Sequence, residues 1–340
     1  MSVSPAPSIP TQIGRYEIER LAAEGAMGAV YVARDPRMKR KVAIKVLKVR
    51  ASRSSDARRR FESEAEAIAA VEHPAIVPIY DFGEYDEQPF IVMRYLSGGT
   101  LEDRLEPGPM SLRELAPIFE RVAAGLDTVH DKGIIHRDVK PANIIFDSAG
   151  EAYLSDFGIV KVDTEVDHTG FMLLGTPKYM SPEQAQSRPL DPRSDVYSLA
   201  AVAFHALTGR GPFEAESPLA MAMAHVSKAP TTIRKLREDL PEVADVVFHR
   251  ALAKQPQARH PSAGAFARDL RDLAAGRWYL IKVSDAFEPR EDVPVADAPS
   301  AHARALQEVA DTPARPVTDT IDVDAAAYVP DDTLFDDGND

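Results

Sequence analysis

The chain of 340 residues contains no cysteine. That excludes disulfide staples, thiolate metal sites and a cysteine nucleophile. Long apolar runs are also missing: the best candidate, Val196–Leu207, has 12 residues and includes His205. A membrane helix needs ~20 apolar residues, so no span is expected. The opening M-S-V-S-P-A-P-S-I-P has neither a basic start nor an apolar stretch, and it does not read as a signal peptide. A soluble, cytoplasmic protein is the expectation. There is no excess of positive charge either, since 53 acidic residues face 40 basic ones for a formal charge of −13. This argues against a nucleic-acid partner. The acidity is local: residues 281–340 hold 15 acids and 4 bases, a net of −11, which leaves −2 for the rest. The body is thus nearly neutral, and its share of the 44% apolar content suffices for a large core in two lobes or domains.

What is present concentrates between Ile134 and Gly158. The run I-I-H-R-D-V-K-P-A-N-I-I-F-D carries Asp138, Lys140 and Asn143 on a polar loop between two apolar stretches. A turn at Ser148, Ala149 and Gly150 follows, and then E-A-Y-L-S-D-F-G supplies Asp156. This layout predicts a proton acceptor, a cation and two oxygen ligands at one rim of a small sheet. Phosphoryl transfer uses such a set, because the moving group carries dispersed negative charge and catalysis is mainly positioning and neutralisation. Magnesium prefers oxygen ligands and takes one or two from protein, a role that suits Asn143 and Asp156.

At these residues the sequence resembles a protein kinase. H-R-D-V-K-P-A-N, from His136 to Asn143, and D-F-G, from Asp156 to Gly158, are similar to the family's catalytic and metal loops. The resemblance runs from about Tyr16 to Leu273 and lies nearest to the eukaryotic-like serine/threonine kinases of bacteria. It implies an α+β, two-lobe fold. The small lobe, 13–96, is mainly antiparallel β with one helix; the larger lobe, 97–276, is mainly helical, and ATP sits in the cleft between them. It also implies ATP as phosphoryl donor with Mg2+, or Mn2+, as the metal. In those terms Asp138 is the base, Lys140 steadies the transferred phosphate, and Asn143 with Asp156 holds metal. V-A-I-K ends at Lys45, which orients ATP and pairs with a helix glutamate, matched here by Glu64; a change of partner there would act as a switch.

Further site residues follow from the same likeness. The segment Ala22–Ala33 resembles the glycine-rich loop, with Leu21, Ala23, Glu24, Gly25, Gly28 and Val30 over the nucleotide. Ala23 and Ala26 replace commonly glycine positions. Ala43 and Ile145 contact the nucleotide, Met93 guards the back of the adenine pocket, and the backbone of Arg94 and Leu96 bonds the adenine edge. Residues Ile159–Glu183 form the activation segment, with Thr169 and Thr164 as phosphosites and Arg137 as the phosphate's partner. G-T-P-K-Y-M-S-P-E, from Gly175 to Glu183, resembles the substrate-facing segment, and Lys140 with Thr176 indicates serine or threonine acceptors on protein substrates.

Periodicity fills in the elements. Alternation predicts strands from Gly14, across His73–Gly83 and across Phe90–Leu96. Spacing near 3.6 predicts helices over Ser54–Glu72 and Leu112–Asp131, and Ser194–Leu199 opens an apolar helix. By resemblance Asp195 braces the catalytic loop, and Glu183 with Arg259 forms a buried ion pair. Residues 1–12 and 277–340 read as disordered. Trp278–Ile281 are expected to dock on the large lobe. Thr312, Thr318, Thr320 and Thr333 make the acidic tail a candidate docking site for a phosphothreonine-binding partner, and kinases of this type often pair through their small lobes. A catalytically silent scaffold of the same shape is the competing reading, favoured by Ala23 and opposed by the complete set of Lys45, Glu64, Asp138, Asn143 and Asp156.

Overall fold

The structure is a computed structural model that describes residues 9–25, 28–48, 55–158 and 177–281. The strands β1 (Gln12–Ile13), β2 (Tyr16–Gly25), β3 (Gly28–Asp35), β4 (Arg40–Leu47), β5 (Ile79–Tyr85) and β6 (Gln88–Arg94) form one sheet in the order β1-β2-β3-β4-β6-β5. Every pairing in it is antiparallel. Two-residue alternation in R-K-V-A-I-K-V-L decides what β4 shows to each side. Val42, Ile44 and Val46 close a small core with Ile13, Tyr16, Ala33, Phe90 and Val92. Ala43 and Leu47 face the other way and join the main core, which leaves Lys45 directed at the cleft.

Helix α1 (Ser55–Ala69) covers that second face with Phe61, Ala65 and Ile68, a stripe one helical face wide. Two sequence boundaries shift. The strand expected over His73–Gly83 forms only from Ile79, because His73–Ala75 is bent back by a bond from the Ala75 amide to the His73 ring at 3.1 Å. Gln12, expected in a disordered N-terminus, instead pairs with Glu17 in β1.

Past the sheet, Gly98 and Gly99 turn the chain into the second lobe. The Gly98 amide donates to Phe146 O and the Phe146 amide to Gly99 O, both at 2.8 Å. A Cβ on Gly98 would lie 2.2 Å from Asp147 O, so only glycine allows the connector to approach this closely. Helices α2 (Leu101–Leu105) and α3 (Leu112–His130) each begin at a reciprocal capping box, Thr100 with Asp103 and Ser111 with Glu114. The short strands β7 (Ile144–Phe146) and β8 (Ala152–Leu154) pair across a turn, and the D-F-G residues follow β8. The helices α4 (Pro182–Ala185), α5 (Pro192–Thr208), α6 (Pro218–Ser227), α7 (Val243–Ala251) and α8 (Ala263–Ala274) complete the lobe. Of the 17 residues of α5, 13 are buried, so it is a core helix enclosed on nearly every side. Asp191 caps its start, Pro192 occupies its first turn, and Gly209 ends it with φ 73°.

The small antiparallel β lobe with one helix and the larger helical lobe are those expected from sequence. The docking expected of Trp278–Ile281 is only partly met. Ile281 is buried, whereas Trp278, Tyr279 and Leu280, in a short 3-10 turn, are exposed by half or more. One turn offers one inward direction, and Ile281 takes it.

Candidate active site

The loop His136–Asn143 is positioned from below by one carboxylate. Asp195, 1% exposed on α5, accepts from the backbone amides of His136 at 2.8 Å and Arg137 at 2.9 Å, and its Oδ2 lies 2.7 Å from His130 Nε2. Burial works to raise its pKa. The hydrogen bonds from His130 and from the His136 amide outweigh that and hold the carboxyl below its ordinary range. Arg137 adopts φ 65°, and its carbonyl accepts from Gln184 Nε2 at 2.8 Å. The turn that presents Asp138 is therefore fixed from two sides.

His136 locks the loop to the strand behind it. Its Nε2 lies 2.9 Å from Ser155 O, and a carbonyl can only accept, so Nε2 carries the proton. Nδ1 then accepts from the Asp138 amide at 3.2 Å. Complete burial lowers the His136 pKa against the opposing pull of Asp195 and Asp138, so the ring is neutral. Phe157 stacks on it with ring centroids 4.6 Å apart.

Five of the six residues expected to act on phosphate stand in two groups. Lys140 Nζ lies 2.8 Å from Asp138 Oδ2, and Asn143 Nδ2 donates to the same oxygen at 3.0 Å and to Asp138 O at 2.8 Å. Across the cleft, Lys45 Nζ meets Asp156 Oδ2 at 2.8 Å. Asp156 reaches this position with φ 59°, a left-handed residue two positions past the end of β8. Glu64 is the exception, since the ion pair of Lys45 is with Asp156 and not with α1. Glu64 instead lines a cavity of about 180 Å³ with Ile68, Ile134, Arg137 and Phe157. The sequence expectation of a Lys45–Glu64 pair is thus not met in this arrangement, because the Asp156 carboxylate already balances the ammonium.

The residues expected to face the nucleotide come from both lobes. Met93 lines a small recess with Lys45, Leu47, Val77, Ile79, Ile91 and Asp156. Ala43 is partly buried against the main core, and Ile145 is half-buried between buried Ile144 and Phe146. Leu21 and Val30 are half-buried on neighbouring strands, while Ala23, Glu24 and Gly25 are exposed near the tip of the β2–β3 hairpin. Glu24 pairs with Lys48 at 3.0 Å, which ties that tip to the end of β4. Gly28 has no room for a side chain, as a Cβ would stand 2.1 Å from Val46 O. The Arg94 amide donates to Pro78 O and its guanidinium lies over the Tyr153 ring. Leu96 is half-buried beside it. Ala26, Thr164, Thr169 and Thr176, with the tail threonines, lie outside the described residues.

The donor set fits magnesium. Asn143 spends its Nδ2 on Asp138, so its own Oδ1 is the oxygen it can offer a cation, and Asp156 adds a carboxylate. Among the described residues no three His, Cys, Asp or Glu side chains form a metal cluster. Two hard oxygen donors suit an ion that takes few ligands from protein. A roomier cavity of about 740 Å³ lies elsewhere, between α3 and the β7–β8 turn. It holds none of these groups, and the chemistry decides for the cleft.

Two residues beyond the motifs contribute. Gln184 is legible only as the helix-starting partner of Ser181 in S-P-E-Q; its bond to Arg137 O is a tertiary fact. His130 ends α3 and meets Asp195.

A family model described as "Protein kinase domain" matches residues 16–270. Serine/threonine-protein kinase PksC of Streptomyces coelicolor is 40% identical over 275 residues, 77% of this chain and 49% of its own length. Serine/threonine-protein kinase PknB of Mycobacterium leprae is 39% identical over 271 residues, 77% of this chain and 43% of its own length. The chain thus spans less than half the length of these curated relatives. Among solved structures, the PknI kinase domain of Mycobacterium tuberculosis aligns with a TM-score of 0.63 at 31% identity, covering 79% of this chain and 100% of that one.

Proposed function

The chain belongs to the protein kinase domain family, and on that premise we propose that it is a serine/threonine protein kinase moving the γ-phosphoryl group of ATP to protein hydroxyls. The observation that carries the reading is Asp138, held by Lys140 and Asn143 through one carboxylate oxygen, on a loop braced by Asp195 and facing Lys45 and Asp156. Positioning and charge neutralisation at that spot are what phosphoryl transfer demands.

Asp138 orients the acceptor hydroxyl and accepts its proton as the new oxygen–phosphorus bond forms. The bond from the γ-phosphorus to the bridging oxygen breaks, and its electron pair leaves with ADP. Lys140 stands beside Asp138, where it neutralises charge on the moving group. Lys45 aligns the first phosphates. Asn143 and Asp156 would hold magnesium, which when bound neutralises the phosphate oxygens. Met93, Ala43, Leu21, Val30 and Ile145 enclose the adenine, and the backbone at Arg94 and Leu96 bonds its edge.

The Lys45–Asp156 pair with Glu64 turned to the cavity near Arg137 supports one refinement. Productive binding brings Glu64 to Lys45, which releases Asp156 toward metal. Phosphate on Thr169, or on Thr164, would draw Arg137 and favour that exchange. Pairing of two copies through the small lobes, recruitment of a phosphothreonine-binding partner by the acidic tail and a cytoplasmic location belong to the same proposal. No helix among the described residues is long and apolar enough to cross a membrane. The test is labelled ATP with magnesium, wild type beside Asp138→Asn, with ATP binding followed by thermal shift and sites mapped by mass spectrometry. Label in wild type alone supports the kinase; ATP binding without label in any condition, including added basic protein substrate, supports the silent scaffold.

A further inference from the structure

The cavity of about 740 Å³ outside the cleft has apolar walls, supplied by Met110, Pro117 and Ile118 among others, and four charged side chains. Three of the four are already engaged. Glu114 accepts from the Ser111 amide at 2.9 Å and from its hydroxyl at 2.7 Å. Arg121 pairs with Glu151 at 3.0 Å and donates to Ala152 O at 2.8 Å and Pro74 O at 2.6 Å. Arg104 differs. Its guanidinium lies 3.3 Å from the centroid of the Phe146 ring, and among the described residues its side chain meets no carboxylate and no hydrogen-bond acceptor. Stacking fixes the fork in place while its N–H donors stay available, so this wall presents an oriented cation without an anion.

A groove of this kind suits a peptide in which adjoining apolar side chains are flanked by acids. The chain carries one in D-D-T-L-F-D-D, from Asp331 to Asp337. Around it, residues 316–340 hold eight aspartates and no lysine or arginine. The route to the groove is short. Helix α8, which leads toward these residues, meets α3 where Arg271 Nη1 lies 3.2 Å from Glu120. Pro117 and Arg121, on that same stretch of α3, line the groove. From Ile281 to Leu334 there are 53 residues; a coil of that length spans ~40 Å on average, enough to reach a wall that begins beside α8. Tethering also supplies an effective concentration in the millimolar range, so weak contacts suffice.

We propose that the groove between α3 and the β7–β8 turn is a docking site for residues 331–337 of the same chain. Leu334 and Phe335 lie against Met110, Pro117 and Ile118, and a flanking aspartate pairs with Arg104. The site uses none of the residues assigned to phosphoryl transfer, and it stands whether or not the chain is an active kinase.

The absence of cysteine makes the test specific. Glu106→Cys, at an exposed position next to the groove, and Gly338→Cys are labelled with a donor–acceptor dye pair in the full chain at nanomolar concentration. Docking predicts a separation of roughly 20 Å, about half that of an undocked coil. Leu334→Ser with Phe335→Ser should return the separation to the coil value. Arg104→Met should lengthen it, as should ~0.5 M salt, which screens the charge pair. The serine pair alters no contact among the described residues, so it reports even where Arg104→Met lowers the melting temperature. A coil-like separation in the unaltered background overturns the proposal, and so does a short one that survives both Arg104→Met and the serine pair. Energy transfer that appears only between singly labelled chains and rises with concentration gives the groove to a second copy and overturns docking within one chain.

Discussion

Replacing Glu183 by glutamine should destabilise the large lobe by several kcal/mol, and the reason lies in the surroundings of Arg259. Its side chain is 0% exposed. All five of its N–H groups are bonded: Nη1 to Glu183 Oε1 at 2.6 Å and Arg193 O at 2.9 Å, Nη2 to Glu183 Oε2 at 2.8 Å and Lys254 O at 3.0 Å, and Nε to Ala253 O at 2.8 Å. Glutamine would keep one acceptor, turn an amide NH2 at the guanidinium and leave the buried charge unbalanced. Removing one partner of a buried pair costs ~3–5 kcal/mol. Glutamine preserves one contact, so a loss of about 3 kcal/mol is expected, a large part of the ~5–15 kcal/mol that stabilises a typical domain. Lys254 sharpens the forecast. Burial first and Arg259 second hold its amine at about 7, so an unbalanced Arg259 should hurt more at pH 6, where Lys254 is charged, than at pH 9. Glu183 itself is lowered, because the Arg259 bond and charge outweigh its burial. Its contribution is present above the unfolded carboxylate value and is lost as pH falls through the folded one. Urea unfolding at pH 6, 7.5 and 9 is the assay. The double change Glu183→Leu with Arg259→Met should recover more than half of the loss. A loss below about 1 kcal/mol at every pH would refute the account, since it would mean that the pair contributes no more than a surface bridge.

Asp138→Asn should abolish transfer while thermal shift by ATP persists; normal turnover would remove Asp138 as the base. Gly98→Ala forces a Cβ onto Asp147 O and should cost roughly 1–3 kcal/mol in urea and weaken ATP binding through displaced Leu96, so unaltered stability would contradict the close approach. Because His205 and His225 are held below the ordinary histidine value, they bind protons more readily when unfolded. Stability should be complete above about pH 6.5 and decline as pH falls toward 4, and a flat profile across that window would speak against both neutral rings. Thr169→Ala should slow peptide phosphorylation with nucleotide affinity kept; an unchanged rate would shift regulation to Thr164 or away from the loop.

Much of the site was legible in the order of residues because its chemistry is local. Asp138, Lys140 and Asn143 lie within six positions, and one short loop brings them into contact whatever the rest of the chain does. The sheet was legible for a similar reason: alternation in β4 sends Val42, Ile44 and Val46 to one face and Lys45 to the other. The start of β5 was misjudged because an apolar run does not reveal that the His73 ring captures the Ala75 amide. Exposed Trp278, Tyr279 and Leu280 were misjudged because hydrophobicity alone does not say which residue of a turn points inward.

Sequence by itself determined the elements and the reactive groups, since strand alternation, helical spacing and capping are properties of neighbours along the chain. Tertiary structure decided the partners. Asp195 meets His136 across 59 residues, Glu183 meets Arg259 across 76, and Lys45 takes Asp156 in place of Glu64. Those choices depend on which charges become neighbours once water is excluded, and that is settled only when the lobes have packed.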